Sequence, residues 1–272
     1  MKQWYSEFAA MKICRFFSAV LVFILFAFVS SCSNKEAAGR IEAGSSIQDA
    51  LDRSEADPYY QKRKAMVDLV ANYSPNHRVT DKKVLDAMMY VKRHEFIPKS
   101  LVNRAYGDHP LPIGENQTIS QPFIVGYMTQ MLDLSPEDKV LEVGTGSGYQ
   151  AAILSRLVRW VYSIEIVESL GKHARRTIKL LGYENVDVRL GDGYQGWPEQ
   201  APFDAIIVTC APENIPEPLI EQLKTGGRMV IPVGSSGGAQ ELILLIKTED
   251  GIKQQKRMHV RFVPMTGEAQ KK

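Results

Sequence analysis

The stretch VLEVGTGSGYQAAIL, residues 140–154, decides how the chain folds. Val140-Leu141-Glu142-Val143 is a short, mostly apolar run, and Gly144, Gly146 and Gly148 follow at alternate positions before a helical stretch opens at Tyr149. The expected structure is a buried strand, a glycine turn and a helix. Glycine permits a tight turn and lets a ligand lie close against the backbone. The alternation continues downstream. Val161–Glu165 is a second strand, Leu170–Leu181 a helix, Val186–Leu190 a third strand and Phe203–Cys210 a fourth. Ile215–Leu223 is the next helix and Met229–Val233 the fifth strand. Strands alternating with helices of this size predict a parallel sheet covered on both faces. Glu241–Lys247, the Glu249-Asp250-Gly251 turn and Met258–Val263 break the alternation and predict an antiparallel pair on the sheet edge. The fold class is therefore α/β: doubly wound and mostly parallel, with an antiparallel C-terminal edge.

Upstream, Asp57-Pro58 has the form of a helix start, and Met66, Leu69, Val70 and Tyr73 follow with the spacing of one helix face. Thr80 stands where it can cap a second helix facing inward with Val84, Leu85, Met88 and Val91. Phe96–Ile119, with Pro98, Gly107, Pro110, Pro112 and Gly114, is expected to be a long irregular segment, a kind that often carries function. This gives a helical N-terminal region with a substrate loop over residues 57–138, added to an α/β domain over 139–272.

Residues 1–56 read differently. Phe16–Val29 is apolar, Lys12 and Arg15 precede it and small residues follow; at 14 residues it is shorter than the roughly 20 a bilayer-spanning helix needs. Val29-Ser30-Ser31-Cys32 resembles the lipobox of bacterial lipoproteins, which would anchor the protein in a membrane through Cys32. A short anchor, or a start at Met11, are the alternatives. Residues 33–56 have the small, polar composition of a linker. Without residues 1–31 the chain carries 30 basic and 30 acidic residues, a balance that argues against binding nucleic acid through phosphates. Three cysteines and five scattered histidines suggest neither a disulfide scaffold nor a metal centre.

The chemistry concentrates at the strand ends. The spacing G-x-G-x-G differs from the G-x-G-x-x-G that seats a dinucleotide pyrophosphate, which disfavours a nicotinamide dehydrogenase. Glu165 ends the second strand where an acid can accept from ribose hydroxyls. Asp192, in Gly191-Asp192-Gly193, ends the third where it can accept from an adenine amino group. Taken singly these are a plain turn, a solvated strand end and a helix cap. Together, in this order, they describe a nucleoside site. Its carboxylates suit the cationic S-adenosylmethionine and would repel a diphosphate.

VLEVGTGSGYQAAIL resembles the first cofactor motif of S-adenosylmethionine methyltransferases. QTISQP at 117–122, GDGYQGWPEQAPFDAIIVTCAP at 191–212 and LIEQLKTGGRMVIPVG at 219–234 narrow the resemblance to the protein-L-isoaspartate O-methyltransferase family. The likeness runs over roughly residues 57–267 and includes Val263-Pro264-Met265-Thr266. It implies methyl transfer from S-adenosylmethionine to the α-carboxylate of isoaspartyl residues in damaged proteins and peptides. It also implies Ser120 as the active-site residue, Thr118 and Thr266 in the substrate pocket, and Gly144, Thr145, Gly146, Ser147, Gly148, Glu165, Asp192 and Gly193 around the cofactor. A monomer in the cytoplasm, with no metal, is the expected setting, and the lipobox-like segment departs from it. Ser120 also reads as a cap for a helix beginning at Pro122. A methyltransferase for base amino groups would carry an Asn/Asp-Pro-Pro-aromatic stretch where this chain has Thr209-Cys210-Ala211-Pro212. A lipoprotein that only binds a ligand would have no need for the intact glycines and acids. Cys210, Trp160 and Trp197 are expected to be packing residues.

Overall fold

A computed structural model describes residues 57–235 and 237–267. The signal-like segment, Cys32 and the linker lie outside the described residues. Helix α1 (Tyr60–Ala71) begins just past the expected start. Asp57 holds the preceding turn: its Oδ1 accepts from Tyr59 N at 2.9 Å and its carbonyl from Tyr60 N at 3.0 Å. The buried stripe of α1 is Arg63, Met66, Val67 and Val70, and the expected Leu69 and Tyr73 are exposed. The stripe is displaced because Arg63 is buried, pairing with Asp57 at 2.7 Å and donating to Met89 O at 2.6 Å. Helix α2 (Lys82–Tyr90) is capped by Asp81, which accepts from Lys83 N at 2.8 Å; Thr80 gives its own N–H to Gln130 Oε1 instead.

Phe96–Ile119 is not irregular. 3-10 turns over Arg93–Phe96 and Lys99–Arg104 lead into an antiparallel hairpin, β1 (Leu111–Gly114) and β2 (Gln117–Ile119). Glu115 and Asn116 turn it with φ of 52° and 56°. Helix α3 (Pro122–Met131) follows and is buried nearly all round.

The main sheet is built from β3 (Lys139–Val143), β4 (Trp160–Glu165), β5 (Val186–Leu190), β6 (Phe203–Val208), β7 (Leu223–Val233), β8 (Gln240–Thr248) and β9 (Gly251–Val260). Helices α4 (Tyr149–Ser155), α5 (Glu168–Leu180) and α6 (Glu217–Gln222) connect its parallel strands. The strand order is β5-β4-β3-β6-β7-β8-β9, parallel as far as β7 and antiparallel for the last two pairings. The chain winds outward from β3 to β5 and then returns to the other side of β3 with β6. This reversal opens a crevice at the carboxyl ends of the strands, where ligands of doubly wound folds bind. One core cluster joins Val140, Val161 and Ile207 of the sheet to Met66 of α1, Met88 of α2, Phe123 of α3 and Ile153 of α4. The opposite face packs Leu141, Val143, Ile206 and Val208 against Leu219 of α6. The N-terminal helices pack on each other and on α3, and α2 also on α4, so they join the core through those helices.

Candidate active site

The turn after β3 is held by backbone. Gly144 N and Thr145 N both donate to Ile164 O of β4, at 2.9 and 3.1 Å, and Thr209 Oγ1 donates to Gly144 O at 2.7 Å. Gly144 has φ +95°, and a Cβ there would lie 2.5 Å from Thr209 Oγ1, so both the angle and the space demand glycine. Glu165 closes the turn: Oε2 accepts from Gly146 N at 2.7 Å and Oε1 from Val167 N at 2.9 Å. A buried chain of side chains lies beneath. Thr145 Oγ1 meets Ser163 Oγ at 2.5 Å, and Ser163 donates to Glu142 Oε2 at 2.5 Å. Glu142 is fully buried, and burial pushes its carboxyl up to about 8, with Glu165 adding like-charge repulsion.

At the next strand end, Asp192 Oδ1 accepts from Tyr194 N at 2.9 Å and so caps the 3-10 turn Gly193–Gln195. Gly193 lies against β3; a Cβ would come within 2.4 Å of Val143 Cγ1. The segment Val263–Thr266 crosses the end of β6, where Ala211 N donates to Val263 O and Met265 N to Ala211 O, both at 2.8 Å. Its continuation at Gly267 packs on the Asp192 carboxylate.

These pieces surround one open cleft. Thr118 and Ser120 line one side. Gly144, Thr145, Gly146, Ser147, Glu165 and Gly193 line the other, and Cys210 and Thr266 complete it. Gly148 sits just behind, in the left-handed N-cap position of α4, and Asp192 stands beside the lining Gly193. Glu165 is the one acidic side chain in the lining, and no lysine, arginine or histidine lines the cleft among the described residues. Burial pushes the Cys210 thiol up to about 12, so it is no thiolate nucleophile at neutral pH. Trp197 packs edge-on against Tyr162, with ring centroids 5.3 Å apart, and Trp160 donates to Asp187, as packing residues do.

The cap reading of Ser120 gives way to another residue. The N-cap position of α3 is Gln121, which makes no side-chain cap, and Asp108 Oδ1 accepts from Phe123 N at 2.8 Å in its place. Asp108 Oδ2 also takes Gln121 Nε2 at 2.7 Å, and buried Arg93 donates from Nη2 to Ser120 O at 2.7 Å. Ser120 Oγ makes no hydrogen bond among the described residues. Arg93 and Asp108 were not singled out in the sequence, where both look like surface charges. Glu142 did leave a signal, as a carboxylate inside an apolar strand.

A doubly wound sheet with a glycine turn after its first strand, a buried acid ending the second and a cleft at the point of reversal defines a Rossmann-like, S-adenosylmethionine-dependent methyltransferase. Residues 63–270 match the model of the protein-L-isoaspartate(D-aspartate) O-methyltransferase family, and the chain belongs to that family. It is 56% identical over 185 residues to a protein-L-isoaspartate O-methyltransferase of Gloeobacter violaceus, covering 68% of this chain and 90% of that one. It is likewise 56% identical over 189 residues to a Polaromonas protein-L-isoaspartate O-methyltransferase 2, covering 69% and 90%. Among solved structures, a protein-L-isoaspartate O-methyltransferase superposes with a TM-score of 0.68 at 30% identity, over 76% of this chain and 67% of that one. A putative protein-L-isoaspartate O-methyltransferase of Plasmodium falciparum, in complex with S-adenosyl-L-homocysteine, gives 0.65 at 25% identity, over 75% and 98%. The chain is a methyltransferase whose methyl donor is S-adenosylmethionine.

Proposed function

We propose that the cleft moves a methyl group from S-adenosylmethionine to the free α-carboxylate of L-isoaspartyl residues in damaged proteins and peptides. The observation that carries this is the single cleft uniting QTIS (117–120), the glycine turn, Glu165 and Thr266. The donor set fits the cofactor. Backbone at Gly144–Ser147 lines the cleft, and Glu165 retains lone pairs for ribose hydroxyls beyond its two backbone bonds. Asp192 beside Gly193 is the acceptor for an exocyclic amino group, and Gly148 starts the helix behind the turn.

S-adenosylmethionine supplies an electrophilic methyl on a sulfonium. The acceptor carboxylate is ionised at neutral pH, since an α-carboxyl group titrates near about 3.5. It needs no general base, which suits a lining without histidine or lysine. What the chain must do is hold, orient and exclude water. Ser120 Oγ–H donates to the acceptor carboxylate or the adjoining peptide, and Thr118 and Thr266 close on its flanks. Transfer of labelled methyl to an isoaspartyl peptide, with no transfer to the matching aspartyl peptide, is the expected result. Equal labelling of both peptides would overturn the reading.

The enzyme works as a monomer in this proposal, since one chain supplies every wall of the cleft; light scattering gives the test. Its site is the cytoplasm, where the methyl donor is made. Recovery of Cys32-lipidated protein from membranes would move it to an exported, anchored position.

A further inference from the structure

The acceptor end of the cleft poses an electrostatic difficulty. Its substrate is an anion, yet the one acidic lining side chain is Glu165 and no lining residue among those described is basic. A permanent positive charge lies directly behind this end. Arg93 is completely buried, with Nε donating to Ala105 O at 2.9 Å and Nη2 to Ser120 O at 2.7 Å. Nη1 has no hydrogen-bond partner, and no carboxylate of the described residues lies within ion-pair distance of the guanidinium. Asp108 is the nearby acid, but its oxygens are held by Gln121 Nε2 and Phe123 N. Between Arg93 and the cleft stands Tyr149, whose ring centre is 4.9 Å from the guanidinium carbon. The Tyr149 hydroxyl, also buried and outside hydrogen-bond geometry, interacts with the Arg93 guanidinium; burial pushes it up to about 12, so it stays neutral. Arg93 itself is lowered only to about 10 and stays charged.

Burying an arginine without a carboxylate is costly, and a neutral amide could tie two carbonyls more cheaply. The cost makes sense if the positive field serves the cleft. We infer that Arg93 is the positioning residue for Ser120 and the buried cation that makes the acceptor end select an ionised carboxylate. It acts through the Ser120 backbone and through the low-dielectric wall formed by Tyr149, without touching substrate. The inference rests on the reading of the Ser120 side as the acceptor end.

The test compares an isoaspartyl peptide with its α-carboxamide analogue, binding each to the enzyme saturated with S-adenosylhomocysteine. Wild type is expected to prefer the carboxylate by about tenfold or more, the scale of a charged hydrogen bond. Arg93→Met should reduce that preference to within about threefold while S-adenosylhomocysteine affinity stays near wild type, since the hydrogen bonds of Arg93 go to Ala105 O and Ser120 O and the methionine chain still fills the space against Tyr149. Arg93→Lys keeps the charge but cannot fork to both carbonyls, so it should retain much of the preference and lose turnover. If Arg93→Met fails to fold, Arg93→Lys decides: wild-type kcat and KM for the peptide would overturn the inference. A folded Arg93→Met that discriminates as wild type does would overturn it alone. A wild type that binds both peptides equally would overturn the acceptor-end reading, and this inference with it.

Discussion

The two walls of the cleft are made by different means. The wall proposed for the cofactor is backbone at the ends of neighbouring parallel strands, fixed by sheet hydrogen bonds and by the tie from Thr209 to the Gly144 carbonyl. Its shape depends on the absence of side chains at Gly144 and Gly193. The wall proposed for the acceptor is a loop between a hairpin and a helix, pinned by Arg93 and Asp108 from earlier stretches of the chain. One wall is therefore sensitive to added atoms and the other to lost charges. Mutations should separate the two functions cleanly, with donor binding failing on one side and acceptor turnover on the other.

The largest effect is expected at Gly144→Ala, which combines a left-handed angle with a contact of 2.5 Å to Thr209 Oγ1. Strain of about 1–3 kcal/mol falling on the turn should weaken S-adenosylhomocysteine binding by roughly a hundredfold in calorimetry. Wild-type affinity would show that the turn can yield. Next comes Glu165→Ala. It removes the acceptor for Gly146 N and Val167 N as well as the proposed ribose contact, and should cost at least about tenfold in cofactor affinity. A change confined to peptide KM would place Glu165 on the wrong wall.

Ser120→Ala should lower kcat/KM on isoaspartyl peptide by about tenfold, the worth of one hydrogen bond, with cofactor affinity little changed. The thermal midpoint should also hold, because Asp108 supplies the bond at the start of α3. A fall in the midpoint with full activity would return Ser120 to a structural role.

A separate effect falls on stability rather than on binding and concerns pH. Burial holds the Glu142 carboxyl near 8, whereas the same group in the unfolded chain titrates near its ordinary 4.5. Between those values the native state keeps a proton that the unfolded state releases, so this group makes stability fall as pH rises from about 4.5 to about 8. Glu142→Gln should flatten the decline in thermal midpoint between pH 5 and pH 8. An unaltered slope would mean that Glu142 titrates normally.

The same contrast explains what the sequence reveals. The central strands β3 and β6 are near-continuous apolar runs and the edge strand β5 alternates around Asp187 and Arg189, so β3 to β6 are legible almost to the residue, as are the glycines and Glu165 that end them. Helix α3 gives no stripe because it is buried nearly all round, and the phase of α1 shifts once Arg63 turns inward. The hairpin of β1 and β2 stays hidden because Glu115-Asn116 makes its turn with two positive φ angles, and the one glycine, Gly114, stands before the turn instead of at its second central position. Ser120 is legible only through the resemblance of QTISQP. Arg93 carries no local sign at all, because what distinguishes it is its depth and its missing counter-charge.

The strap at Val263–Thr266 has a consequence for partial digestion. The cleft draws its lining from stretches near residues 118, 145, 193 and 265, so no contiguous piece of the chain contains all of it. A protease cut that removed the strap would leave the seven-strand sheet largely intact while taking away Thr266 and the cover over Asp192. Such a fragment would keep the glycine turn and Glu165 but lose Met265 from the core as well as the wall it completes. Intact mass, rather than solubility or cofactor retention, is therefore the measure of functional integrity for this molecule.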